Sequence, residues 1–426
     1  MKIGIQTIGT KGDVKPYLAL ADGLISKGHQ VRLIVASTDN KNYISGNSDL
    51  TIEHIGRKYY QSDWIKEFIG IWSKSESEQS SISLAKQFEP VLAELIASAK
   101  KLCEECDVVM GNQLQYPLIC TAEKTSTPFV AFSMMHSIFP SKYLTPQGLP
   151  DLGRYINSSW WAIVSLAVNK VFKQSINKFR VSENLSPVKN VLKEVWISNS
   201  LNLIAVSSVF SKSAPDWKNI FVCGNIHGDG DTGYPEIPLS LREFFDAGAP
   251  PVYFTIGSCV NYLENSLDSI VKIFFNAAKL AGCRAIIQAD WAVVDESIPH
   301  DSDIYRIDSI SHKDVFPHCA IIVHHGSHGS SHMATYCGCP SIVIPYAFDQ
   351  PFWAKELKKA GVGGTPLHRR DVTATTLANE IKRILQSPIM KKRAEYLSDV
   401  MKNENGVDKA VGLLENYFDK IELRKE

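Results

Sequence analysis

Between Ala320 and Gln350 the chain compresses a strand, a glycine loop, a helix start and a second strand into one passage, and few folds accept that order. Ala320-Ile321-Ile322-Val323 is a continuous apolar run of the kind buried on both faces of a parallel sheet. A loop with Gly326 and Gly329 follows, and helical character is read from Ser330 to Tyr336. Such a turn aims unpaired backbone N–H groups and the positive end of a helix at an anion, and its small residues let a diphosphate approach the main chain. A second apolar run, Ser341 to Pro345, leads to Asp349-Gln350, a carboxylate and an amide that can both bond hydroxyls. Diphosphate beside sugar hydroxyls suits a nucleotide sugar.

The same grammar recurs along the chain. Lys2 to Thr7 reads as a strand, Pro16 to Lys27 as a helix closed by Gly28, and Gln30 to Ala36 as a second buried strand. Further strands are expected at Asp107–Gly111 and Thr127–Phe132, with a helix from Val91 to Leu102 and a long amphipathic one from Asn157 to Arg180. Leu201 to Ser207 is expected to be the last strand of this half, and Gly224 to Pro251, rich in glycine, proline and aspartate, the lead-in to the next. Strands then return at Val252–Ile256, Arg284–Gln288, Asp303–Ile307, Ala320–Val323 and Ser341–Pro345, with helices between and after them. Alternation of this kind predicts an α/β fold with doubly wound parallel sheets. At 426 residues one core is not enough, so two domains are expected: residues 1–215 and 216–405, with 406–426 a closing helix that crosses back to the first.

Composition removes several classes. Lysine plus arginine, 45, equals aspartate plus glutamate, 45, so no global charge favours nucleic acid. The N-terminus enters a strand with no charged-then-apolar leader, and the longest apolar run, Trp160 to Val168, is too short to span a bilayer. A cytoplasmic protein is therefore expected. Nine cysteines, an odd and scattered set, fit reduced thiols, and Cys103-Glu104-Glu105-Cys106 has metal-ligand spacing without a second pair. Seven of the 12 histidines lie from His300 to His332, but Gly326 and Gly329 disfavour a helical ligand row and no His-Glu-x-x-His motif occurs, so no metal site is assigned.

The passage from His324 to Trp353 resembles the donor signature of the family 1 glycosyltransferases, in the sterol glucosyltransferase and glycopeptide-antibiotic branches. Its Gly338-Cys339-Pro340 and Asp349-Gln350-Pro351-Phe352-Trp353 fall at the intervals of that signature. Ile8-Gly9-Thr10-Lys11-Gly12-Asp13-Val14-Lys15-Pro16 similarly resembles the family's entry loop; it lacks the full Gly-x-Gly-x-x-Gly spacing of a dinucleotide site. The resemblance implies a GT-B architecture, two Rossmann-like domains facing across a cleft. It also implies an inverting transfer of a hexose, glucose from a UDP-sugar being the first expectation, to a hydroxyl of a lipophilic sterol, polyketide or lipid. The nucleotide sugar is a co-substrate, and no cofactor is expected.

On that resemblance Asp13 is the general base, although the same residue ahead of Pro16 suits a helix cap, and the two roles are compatible. His324 is assigned to the leaving diphosphate. Donor contacts are assigned to Gly12, Ser258, Trp291, Ile310, Ser311, Gly326, Ser327, His328, Gly329, Ser330, Asp349 and Gln350; Ile310 and Ser311 would meet the nucleobase through the backbone. Met134, His136 and Trp160 are assigned to the acceptor pocket, with ordinary core as the competing reading. His328 and Ser330 depart from the family's alanine and threonine, and His328 either adds a donor to the phosphate or points outward. His332 replaces a glutamate that holds ribose hydroxyls in plant members, which leaves UDP against dTDP open. Three alternatives stay open: a dTDP-sugar transferase, a UDP-sugar epimerase, and a silent nucleotide-binding member. The helix from Asn157 to Arg180 either packs over the acceptor or lies on a membrane surface, a peripheral contact; nothing speaks to oligomeric state.

Overall fold

The computed structural model describes residues 1–37, 47–56, 91–227, 235–257, 267–292, 294, 298–346 and 349–422. The chain divides into two compact units: residues 1–230 with 404–426, a short internal segment aside, and residues 231–403. Each is a parallel α/β sheet with helices packed on it.

The first sheet holds β1 (Lys2–Gly9), β2 (Gln30–Ser37), β3 (Thr51–Ile55), β4 (Val108–Gly111), β5 (Phe129–Ser133), β6 (Leu201–Ile204) and β7 (Ile220–Val222), in the order β3-β2-β1-β4-β5-β6-β7. Every pairing is parallel, so all the carboxyl ends lie on one edge. The last strand is β7 rather than the run at Leu201. Its three residues carry too little pattern to be read, yet they pair in register with β6.

Helix α1 (Lys11–Ser26) begins five residues earlier than Pro16 suggested. Pro16 lies within it, in its second turn, and the carbonyl it cannot serve belongs to exposed Gly12, where water can take the place of the missing donor. Helices α2 (Leu92–Glu105), α3 (Tyr116–Thr125) and α4 (Arg154–Ser182) follow. The C-terminal helix, Gly406–Glu422, buries Ala410, Val411, Leu414 and Phe418 in the core around β1 and α1. It is anchored by Glu404, which accepts from the Ser207 hydroxyl at 2.9 Å, the Ser208 amide at 2.7 Å and the Asn225 amide at 2.9 Å.

The second sheet holds β8 (Val252–Thr255), β9 (Ala285–Gln288), β10 (Ile304–Ile307), β11 (Ile321–His324) and β12 (Ser341–Val343), in the order β10-β9-β8-β11-β12. These pairings are parallel too, and helices α5 (Leu239–Asp246) and α6 (Leu267–Ala281) pack on the sheet. Both faces are apolar, with Phe254, Ile287, Val323 and Ile342 in one core and Tyr253, Ile286 and Ile322 in another, which is why the strands read as unbroken hydrophobic runs.

Candidate donor and base sites

In the first unit β1 ends at Gly9, whose φ of +142° is open to glycine. A Cβ there would lie 2.3 Å from the Asp13 carboxylate oxygen Oδ2. The missing side chain is what lets Asp13 fold back onto the start of α1, where Oδ2 accepts from the Thr10 amide at 2.9 Å and the Thr10 hydroxyl at 3.2 Å. Asp13 is therefore part of a capping box, at the third position of the helix. Gly12 is exposed on the same turn.

One turn further, buried Tyr17 donates to the Phe132 carbonyl at 3.2 Å and packs on the Phe132 ring at 4.7 Å. Burial, with the Asp13 charge as a second cause, pushes the Tyr17 phenol well above its ordinary range. Tyr17 thus ties the Asp13 turn to the end of β5, where Met134 and His136 lie half-buried, Met134 against the core. Trp160 is half-buried on α4, and its indole nitrogen is buried without a hydrogen-bond partner among the described residues.

In the second unit His324 ends β11, and its Nδ1 accepts from the Gly326 amide at 3.0 Å. That bond fixes the neutral tautomer with the proton on Nε2. Nε2 is buried and has no partner among the described residues. Burial holds His324 well below the usual imidazole range, with His325 and His312 opposing any added charge. A neutral N–H donor is thereby held at the carboxyl edge of the sheet.

Gly326, at φ +92°, turns the chain where a Cβ would meet Val343 Cγ1 at 2.5 Å and the Gln350 carbonyl at 3.0 Å. The loop after β11 is thus packed on the backbone of the Asp349-Gln350 element. Helix α7 (His328–Tyr336) opens with Ser327 as its cap, the hydroxyl accepting from the Ser330 amide. It begins two residues before the expected Ser330 and includes Gly329, because the serine cap outweighs one glycine's poor helix propensity.

His328 and His332 therefore share one face of α7. Their rings lie 4.0 Å apart and both meet Trp353, at 5.2 and 4.8 Å, while His332 Nδ1 bonds the His328 carbonyl at 3.0 Å. Both are buried, so His328 does not point outward as one sequence alternative had it; it packs inward.

Helix α8 (Gln350–Ala360) carries Trp353, whose indole donates to Asp349 Oδ2 at 2.8 Å, and Gln350 Oε1 accepts from the Tyr346 amide at 2.7 Å. One oxygen of each residue thus positions the loop. Ile310 is buried in the core, and the equally buried Ser311 precedes a short helical turn. Trp291 donates to the Ile287 carbonyl at 3.2 Å and has the Arg306 guanidinium 4.5 Å over its ring. Ser258 lies outside the described residues. Among those residues no group of three His, Cys, Asp or Glu side chains is gathered as a metal cage.

Two residues escaped the sequence reading. His325 is buried across Gly257, whose added Cβ would lie 2.3 Å from its Cε1, and burial lowers its pKa to about 4. Trp353 braces Asp349, and its spacing four residues along a helix was the available signal.

Comparison with known proteins agrees with this geometry. Residues 3–143 match the glycosyltransferase family 28 N-terminal domain, and residues 285–414 match the erythromycin biosynthesis protein CIII-like C-terminal domain. A sterol 3-beta-glucosyltransferase of Arabidopsis thaliana is 26% identical over 96% of this chain and 64% of its own length; one from Saccharomyces cerevisiae is 25% identical over 98% of the chain and 35% of its own. The chain thus spans under two thirds of the plant relative and about a third of the yeast one. Glycosyltransferase GtfC of Amycolatopsis orientalis is 25% identical over 85% of each chain. Among solved structures, the calicheamicin glycosyltransferase CalG4 superposes with a TM-score of 0.68 at 15% identity over 99% of this chain and 98% of that one. Glycosyltransferase VinC, solved with dTDP, gives 0.66 at 16% over 98% and 100%. The two parallel sheets and these likenesses give the chain the GT-B fold, with a first half like the family 28 N-terminal domain, a second half like the erythromycin CIII-type C-terminal domain, and similarity along nearly its whole length to glycosyltransferases of the sterol and antibiotic type.

Proposed function

We propose that the protein transfers a hexose, glucose from UDP-glucose, to a hydroxyl of a lipophilic small molecule with inversion at the anomeric carbon. The observation that carries this reading is the turn after β11, where an uncharged serine caps α7 close in sequence to the buried Nε2–H of His324, which has no partner among the described residues. A helix start capped by a neutral group keeps its positive end for an external anion, and a neutral imidazole donates without costing the burial of a charge.

The leaving diphosphate would take the His324 proton donor and the first-turn amides of α7, which stabilise the charge that grows as the glycosidic bond breaks. Asp349 and Gln350 would read sugar hydroxyls through the atoms opposite those that hold Trp353 and Tyr346. Asp13 would take the acceptor's proton as the new bond forms, and the acceptor oxygen would attack the face opposite the diphosphate. The Met134, His136 and Trp160 region would border that acceptor. The aglycone named for the plant and yeast relatives, a sterol, sets the class of acceptor to try first.

A second donor reading has its own support. The residue at the ribose-reading place is His332, whose ring is buried against Trp353, and the similar structures include enzymes solved with thymidine diphosphate. Titration calorimetry with UDP and with dTDP separates the two donors. The test of the reaction itself is incubation with UDP-glucose and a sterol and polyketide panel. Formation of a β-glycoside is expected, whereas donor epimerised without acceptor, or neither product nor donor hydrolysis, overturns the proposal.

A further inference from the structure

Helix α4 leaves a stripe of apolar side chains in solvent. In its first half the positions buried against the rest of its unit are Asn157, Trp161 and Ser165, while Tyr155, Ile156, Ile163 and Leu166 face solvent. Tyr155 is 92% exposed and Leu166 69%, and Leu152, just before the helix, is exposed as well. Trp161 is buried and Trp160, Val164 and Val168 are half-buried on the inner side, so the outer stripe is apolar surface that the unit's own core leaves uncovered.

Charge sharpens the pattern. From Tyr155 to Asn169, roughly 20 Å of helix, there is no ionisable acid or base beyond the tyrosine phenol. Arg154 stands at one end and Lys170 and Lys173 at the other, and the whole helix contains no carboxylate. In a chain whose charges cancel, such a segment is locally and strongly cationic. The helix is also held firmly: Trp161 donates to the Leu144 carbonyl at 2.8 Å, and the Asn157 amide donates to Asp151 at 2.9 Å, which fixes the loop between β5 and α4 beneath it. No helix among the described residues is long and apolar enough to cross a membrane.

An apolar stripe of this length bounded by cations matches a bilayer surface, with tyrosine, isoleucine and leucine among the acyl chains and lysine and arginine at anionic headgroups. We propose that α4 docks the first unit onto membranes that carry anionic lipid. The occupant is a lipid surface rather than a second protein chain because an apolar protein interface gains nothing from a carboxylate-free cationic border. Docking would also bring the loop between β5 and α4, which carries His136, to the phase in which a lipophilic acceptor is dissolved. This inference concerns binding alone and stands or falls independently of the proposed transfer.

The test is flotation of the full chain with phosphatidylcholine vesicles and with vesicles containing phosphatidylglycerol, at low and high salt. Binding is expected to the anionic vesicles, and to weaken with salt. Ile163→Glu with Leu166→Glu, and separately Lys170→Glu with Lys173→Glu, should each reduce it about tenfold or more. Ile163, Leu166 and Lys170 are exposed and Lys173 is half-buried, and an unchanged melting curve and unchanged UDP binding confirm the fold of each variant. Failure to float with anionic vesicles, or flotation indifferent to both variants, overturns the proposal. So does concentration-dependent self-association that the Ile163→Glu, Leu166→Glu variant abolishes, since it assigns the stripe to a second copy.

Discussion

Replacing Asp13 separates two roles that share one carboxylate. Its Oδ2 accepts two hydrogen bonds from Thr10, at 2.9 and 3.2 Å, and closes the start of α1. Losing such a cap costs about 1 kcal/mol, and losing a negative charge at a helix N-terminus costs about 0.3–1 kcal/mol more. Asp13→Ala should therefore destabilise the first unit by about 1–2 kcal/mol, a fall of roughly 3–8 °C in its melting temperature for a unit of this size. Asp13→Asn keeps an oxygen that can accept from Thr10 and should lose only the charge part, about 1 kcal/mol or less. Catalysis divides differently. Neither amide nor methyl can take a proton, so both variants should lose about 10²–10⁴ in kcat with UDP-glucose and an accepted alcohol, with UDP affinity unchanged. The assay is initial-rate kinetics beside calorimetric UDP binding and a thermal melt for each variant. If Asp13→Asn retains activity within about threefold of the parent, under 1 kcal/mol of barrier, Asp13 is a cap and the base lies elsewhere.

Three further outcomes are expected. Gly326→Ala puts a Cβ 2.5 Å from Val343 Cγ1 at a φ of +92°, so it should destabilise the second unit by about 2–4 kcal/mol and weaken nucleotide binding, read by scanning and titration calorimetry; parent-like behaviour would show that the loop is not packed on Gln350. His325 is held neutral, with a folded pKa of about 4 against 6.5 unfolded, so the unfolded chain binds the proton first. Its stability contribution is present above pH 6.5 and is lost as pH falls toward 4, about 3 kcal/mol in all, and urea melts between pH 7 and 4 should show less loss in His325→Gln. Glu404→Ala leaves the Asn225 and Ser208 amides without their acceptor and should cost about 1–3 kcal/mol, seen as earlier protease cleavage near the C-terminal helix.

What could be read in the sequence was what burial writes directly. Strands covered on both faces appear as apolar runs, so β1, β2, β8 and β11 stood out, and a loop needing glycine announced itself at Gly326. Helix starts were harder. Pro16 looks like a first-turn proline, and only the packed turn shows Asp13 capping a helix already under way at Lys11. The site residues were legible as a set of chemistries but not as a set of contacts. Asp349 and Gln350 read as sugar contacts, yet each also holds its own loop, through Trp353 and Tyr346. The sequence leaves His328 open between a phosphate donor and an outward residue and assigns His332 no contact, and the structure buries both rings edge-on against Trp353. No local pattern distinguishes a histidine that faces a ligand from one that faces a tryptophan.

The two units use a similar turn and finish it differently, and that difference bears on the roles proposed for them. In both, a glycine of positive φ lies at or just past the end of a strand, Gly9 at +142° closing β1 and Gly326 at +92° two residues after β11, and a helix starts within a few residues. In the first unit an aspartate of the helix itself folds back onto the start, so the positive end of α1 is already met by a carboxylate. A phosphate placed there would face like charge within a few ångströms. In the second unit the cap is the Ser327 hydroxyl, and the neighbouring side chain is a neutral, hydrogen-donating His324. On the proposed function, the anion would therefore sit at α7, and the turn that keeps its own carboxylate would suit a neutral alcohol whose proton has to be removed. Exchanging the caps tests this division: Ser327→Asp should weaken UDP binding by about tenfold or more, while Asp13→Ser should leave it unchanged. Equal UDP affinity in Ser327→Asp would mean that the diphosphate is not held at the start of α7.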